Sequence, residues 1–173
     1  MRNIFNKLNW KIILIHLLGF FFTFHSFKTF AFLYQIKFVE VNRDFLKSDQ
    51  VATLETYTKR LRENDISSDE FANIFLIKRL LSFAGILIAL TMSLLITLKQ
   101  KFVWINSLVV SLISFIIFYF QFSWFEFLNK YLWILGKLFE NIKIEFLFNG
   151  TLFFTLGIFV FWFSKYYVKN RSQ

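Results

Sequence analysis

Four stretches of this chain are long and apolar enough to cross a lipid bilayer, and that feature limits the fold more than any other. They fall at residues 10–34, 75–98, 102–125 and 147–167. A helix needs about 20 residues to cross a hydrocarbon core of about 30 Å. Within that core the backbone must satisfy its own polar groups, which a helix does residue by residue. Trp10, Tyr34, Trp104, Trp124, Trp162, Tyr166 and Tyr167 stand near the ends of these runs. Amphipathic rings collect at the membrane–water boundary.

Composition agrees with the runs. Of 173 residues, 57% are hydrophobic and 28 are Phe, too apolar a content for a soluble domain of this length. The chain is therefore a single integral membrane domain, 1–173, with no room for a large soluble one. The net charge of +9 does not make a nucleic-acid binder, because the basic residues flank the spans and form no patch with interleaved aromatics. There is no cysteine, which excludes disulfides, thiolate chemistry, Cys-bound zinc and iron–sulfur clusters. There is no proline and there are only five glycines, so mostly straight helices are expected.

Orientation follows from Lys and Arg. The N-terminal Arg2, Lys7 and Lys11, the short link with Lys99 and Lys101, and the C-terminal Lys165, Lys169 and Arg171 contain no acid among them. All eleven acids lie in the other two links. The positive-inside rule then puts both termini in the cytoplasm, across a bacterial inner membrane. The first span has the basic start of a signal peptide, but Thr29-Phe30-Ala31 is a poor cleavage site, so an uncleaved signal-anchor is expected.

Two segments lie outside the bilayer. Residues 35–74 are expected to form an extracytoplasmic helical hairpin. Val51, Leu54, Thr58 and Leu61 make one apolar stripe, Asn64 is the expected left-handed stop, and Ser67 with Glu70 forms a capping box that leads into the second span. Residues 126–146 place Glu126, Asn129, Lys130, Lys137, Glu140 and Asn141 on one side of a helix and apolar residues on the other. That pattern predicts an amphipathic helix lying in the interface. Its aromatics Tyr131, Trp133 and Phe139 are candidates for contact with a partner.

Lipid tails give no hydrophobic drive between helices, so small residues mark the packing faces. Gly19 and Thr23, then Gly85, Ala89 and Ser93, then Ser107, Ser111 and Ser114, and finally Thr155 supply such faces. The expected fold is all-α: four transmembrane helices in a bundle.

The only two histidines, His16 and His25, lie nine residues apart in the first span. At about 100° per residue they point to opposite sides and cannot share a metal or a haem. His16 shares the face of Gly19, Thr23 and Ser26, while His25 goes with Lys28 and Thr29 toward the outer end. An ionisable group inside a span is a functional candidate by default, and His16 is the one in this chain. No catalytic motif, metal site or cofactor site accompanies it.

The expected function is that of a non-catalytic accessory subunit, embedded in lipid and bound to another integral membrane protein, of the kind found in sorting, export or envelope-polymer systems. Two other classes stand beside it. One is a small transporter or channel formed as a homo-oligomer, with the serines of the third span lining a path. The other is a membrane enzyme using His16 or the outer carboxylates Glu126, Glu140 and Glu145.

Overall fold

A computed structural model describes residues 8–36, 61–98, 103–119 and 134–169, together with Glu40, Lys59, Tyr131 and Leu132. Four helices carry the structure: α1 Trp10–Leu33, α2 Ser68–Thr97, α3 Trp104–Tyr119 and α4 Ile142–Lys169. No strand occurs among the described residues. Three of the helices, α1, α2 and α4, are long and apolar enough to span a membrane. The 16 residues of α3 rise about 24 Å at ~1.5 Å each, short of the hydrocarbon thickness over the length described. The protein is therefore an all-helical, membrane-embedded chain.

Each start has a local cause. The Asn9 side chain accepts from the Lys11 and Ile12 amides at 3.1 and 3.4 Å, capping α1. Ser67 accepts from the Glu70 amide at 3.2 Å, and Glu70 accepts in return from the Ser67 amide at 3.1 Å. This is the capping box read from the sequence. Asp69 and Glu70 place negative charge at the positive end of α2. The 30 residues of α2 rise about 45 Å, so its first turns stand outside the hydrocarbon. The Lys78 ammonium lies 5.2 Å from the centre of the Phe32 ring.

The helical turn before α2 ends differently from expectation. Asp65, not Asn64, takes the left-handed conformation, with φ 54°. The Ile66 amide donates to the Leu61 carbonyl at 2.9 Å, and the Asp65 amide to the Arg62 carbonyl at 3.1 Å. These two bonds define a Schellman ending, and they fix the left-handed site one residue later than Asn64. Leu61 and Ile66, its apolar pair, are both buried. The apolar stripe at Val51, Leu54 and Thr58 lies outside the described residues.

A continuous amphipathic helix over 126–146 is also corrected. Residues 134–136 are helical, the chain turns at 137–138, and α4 begins at Ile142. Asn141 does not ride on a polar helix face. Its side chain accepts from the Lys143 amide at 2.9 Å and its carbonyl from the Glu145 amide at 2.9 Å, so it caps a new helix. Glu145, read as an outer carboxylate, is buried in the first turn of α4.

Helix α1 packs against α4, α2 and α3. Of its most apolar window 61% is buried, against 33% for both α2 and α4, although α1 is the least apolar of the three. Five consecutive residues, Gly19 to Thr23, are buried; at about 100° per residue they cover every direction around the axis, so α1 is enclosed at that depth. In lipid this is an economical order: the span whose apolar window has the lowest mean hydropathy goes inside, and the more apolar ones face hydrocarbon. Three apolar clusters surround it. Phe20 meets Ile86, Ala89 and Phe161; Ile13 and Leu17 meet Val110; Phe21 and Phe22 meet Phe153.

Candidate functional site

The enclosed face of α1 carries His16, and its two ring nitrogens reach two other helices. Nδ1 lies 2.7 Å from Ser93 Oγ on α2, and Nε2 lies 3.0 Å from Ser164 Oγ on α4. Ser93 Oγ is 2.8 Å from Ser107 Oγ on α3, and Thr97 Oγ1 is 2.7 Å from the same Ser107 oxygen. The Ser164 hydroxyl also donates to the Phe161 carbonyl at 2.8 Å. Thr97, Ser107, Ser93, His16 and Ser164 thus form one connected polar chain across α1, α2, α3 and α4. All five are buried.

The contact lengths are compatible with one set of donors. A hydroxyl donating to the ring gives a shorter contact than a ring N–H donating to oxygen. The 2.7 Å contact at Nδ1 fits Ser93 as donor, and the 3.0 Å contact at Nε2 fits the ring as donor to Ser164. Ser164 then passes its own proton to the Phe161 carbonyl. The Ser107 hydroxyl also reaches the Ser93 carbonyl as donor at 3.1 Å, and the Thr97 hydroxyl reaches the same carbonyl at 3.1 Å. A neutral ring protonated on Nε2 satisfies both contacts.

This accounts for what His16 can do chemically. Both nitrogens are engaged, so a metal would have to displace Ser93 and a substrate proton would have to displace one of the serines. Its neighbour on the remaining side is the Phe161 ring, edge-on with centroids 5.6 Å apart. Among the described residues no group of three His, Cys, Asp or Glu is placed to hold a metal ion. His25 takes a different role. It is half-buried among rings, with centroids 4.3 Å from Phe21, 5.5 Å from Phe24 and 6.0 Å from Phe153.

The other residues read as packing positions divide into those that face neighbours and one that does not. A Cβ on Gly19 would come within 2.9 Å of the Phe161 ring, and one on Gly157 within 2.6 Å of Thr23 Oγ1. These two glycines let α1 and α4 approach closely. Gly85 lies against Phe27, Ala89 is buried, and Thr23 donates to its own Gly19 carbonyl at 2.9 Å. Ser111 is half-buried and donates to the Ser107 carbonyl at 2.8 Å. Ser114 is buried and its hydroxyl has no partner.

Thr155 is the exception. It is exposed, and its hydroxyl donates to the Thr151 carbonyl of its own helix at 2.9 Å. The inner face of α4 is instead Phe146, Asn149, Phe153, Gly157, Phe161 and Ser164. Thr155 sits two residues from Gly157, about 200° away around the helix. Of the interface candidates, Tyr131 is exposed, Phe139 is exposed with its ring 5.1 Å from Phe148, and Trp133 lies outside the described residues.

Sequence reasoning misses four polar residues. Ser164 completes the chain at His16. Asn106 accepts from the Asn9 amide at 2.7 Å and donates to the Val103 carbonyl at 2.9 Å, tying the starts of α1 and α3 together. Gln35 donates to the Ile74 carbonyl at 2.7 Å at the opposite end. Asn149 is fully buried on α4, and neither atom of its carboxamide has a hydrogen-bond partner. Asparagines and glutamines inside or at the edges of apolar runs were the available signal. No protein family, curated protein or solved structure matches the chain.

Proposed function

We propose that this chain is a non-catalytic subunit of a larger membrane assembly, folded as a four-helix transmembrane bundle with both termini in the cytoplasm of a bacterial cell. One observation carries the reading. The ionisable residue enclosed in the helical core is occupied on both nitrogens by serines of neighbouring helices. An acid–base catalyst or a carrier site keeps at least one such position open to substrate. Here the histidine joins helices, so the spans act as a scaffold and the working contacts lie on the outside.

Support for the topology comes from charge. Lys7 and Lys11, Lys99 and Lys101, and Lys165, Lys169 and Arg171 fall at one end of the spans without acids. The extracytoplasmic side then holds the 35–67 hairpin and the 126–141 segment. The partner is another integral membrane protein, met through aromatic and aliphatic faces such as Tyr131, Ile134 and Leu138, all exposed.

The test is purification of the tagged chain from its native membrane in a mild detergent, followed by particle mass and protein identification. A second protein at fixed stoichiometry is the expected result. A particle made only of this chain, together with solute flux in liposomes, would replace the reading with a transporter.

A further inference from the structure

Asn149 departs from the pattern set by the other buried polar groups. His16, Ser26, Ser93, Thr97, Asn106, Ser107 and Ser164 are all hydrogen-bonded. Asn149 is as deeply buried as they are, yet its carbonyl oxygen and its amide nitrogen are both unpaired. In hydrocarbon that is among the most costly ways to bury a polar side chain. Ser114 is the other unpartnered buried group, but a serine hydroxyl can turn to the carbonyl one turn back in its own helix. A carboxamide presenting both a donor and an acceptor away from its helix has no such recourse.

What closes over Asn149 is unusual as well. Gly136 lies against its carboxamide, so close that a Cβ at that position would overlap the amide. Gly136 belongs to a short cover whose side chains face outward: Ile134, Leu135 and Leu138 are 50%, 44% and 80% exposed. The turn that follows is held by local backbone bonds, from Lys137 to Ile134 at 3.2 Å and from Phe139 to Gly136 at 3.0 Å. The cover seals the carboxamide without giving it a partner.

We propose that Asn149 is the polar contact of the assembly interface: the 134–139 cover shifts when the partner docks, and the carboxamide pairs with an Asn or Gln side chain on a transmembrane helix of that protein. A second carboxamide offers an acceptor and a donor together in one plane and carries no charge, which matches the two unpaired atoms. Polar side chains hydrogen-bond across membrane helices in this way. The inference rests on the accessory-subunit reading and adds the residue and the chemistry of the partner.

The test uses the full chain, which has no cysteine or other reactive thiol to complicate labelling. N149L removes the unpaired group at similar volume. Its thermal midpoint in detergent should rise, while recovery of the co-purifying membrane protein falls about tenfold. A photo-crosslinking residue at position 152, one turn along α4 from an intact Asn149, should then join to a span of that protein within one turn of an Asn or Gln. A lowered midpoint, unchanged recovery, or an adduct only within this chain or to a second copy would each overturn the proposal and leave the accessory reading standing. If the wild-type chain brings down no other protein, that reading fails, and this proposal fails with it.

Discussion

Replacing His16 by Leu tests whether the polar chain is a clamp. The side chains are close in volume, so the cavity term is small and the lost hydrogen bonds dominate. Two interhelical contacts disappear, to Ser93 on α2 and to Ser164 on α4. Such bonds contribute about 0.6 kcal/mol on average in membrane proteins, and at most about 1.7. Ser164 keeps the Phe161 carbonyl. Ser93 can turn to its own helix at little cost. The expected loss is therefore about 1–3 kcal/mol, measured by reversible unfolding in mixed micelles. A double-mutant cycle sharpens it. His16→Leu with Ser93→Ala, and separately with Ser164→Ala, should each show coupling of about 0.5–1.5 kcal/mol. Coupling indistinguishable from zero at both serines, or a His16→Leu variant within about 0.3 kcal/mol of wild type, would refute the clamp. It would leave His16 free for a chemical role.

Other substitutions probe features away from the histidine. Gly157→Ala places a methyl group within 2.6 Å of Thr23 Oγ1 and should cost about 1–3 kcal/mol in the same unfolding assay. Thr155→Leu, on the exposed face of α4, should change stability by less than about 0.5 kcal/mol; a large loss would put Thr155 back in a helix contact. Asp65→Gly relieves a left-handed residue at φ 54° and should stabilise the Schellman turn by up to about 1 kcal/mol, read as slower hydrogen exchange of the Ile66 amide. Ser67→Ala removes the cap of α2 and should speed exchange in its first turn, at a cost of about 1 kcal/mol.

The parts legible in the sequence are those set by one segment alone. Apolar length gave three of the four expected spans, α3 being short over the residues described, and the Ser67–Glu70 spacing gave the cap of α2. The helical angle put His16 on the face of Gly19 and Thr23. What stayed hidden depends on how two segments fit. Thr151 and Thr155 look like a small-residue packing stripe, but α4 turns Phe146, Phe153 and Phe161 inward because α1 supplies the small residues: Phe161 sits at Gly19. Small residues need to line only one side of such a contact. Ser164 is one hydroxyl among many on apolar helices, and only its distance to His16 marks it. The unbroken amphipathic pattern over 126–146 hid a helix start at Asn141, since a polar residue suits a solvated face and a cap equally well.

The enclosure of α1 has a consequence for biosynthesis. Of the four helices it leaves the ribosome first, yet the neighbours that cover it come later. Leu33 and Lys169 are 136 residues apart (169 − 33), and at about 5–20 residues per second α4 is finished roughly 7–27 s after α1. For that interval His16 and Ser26 have no α4 beside them, and for roughly the first half of it (97 − 33 = 64 residues) no complete α2 either; lipid is a poor substitute. Nascent α1 therefore needs a protected berth, at the translocon or against an insertase, until its companions arrive. A chain stalled after α1 should crosslink to that machinery through His16, and the crosslink should vanish once α4 is released.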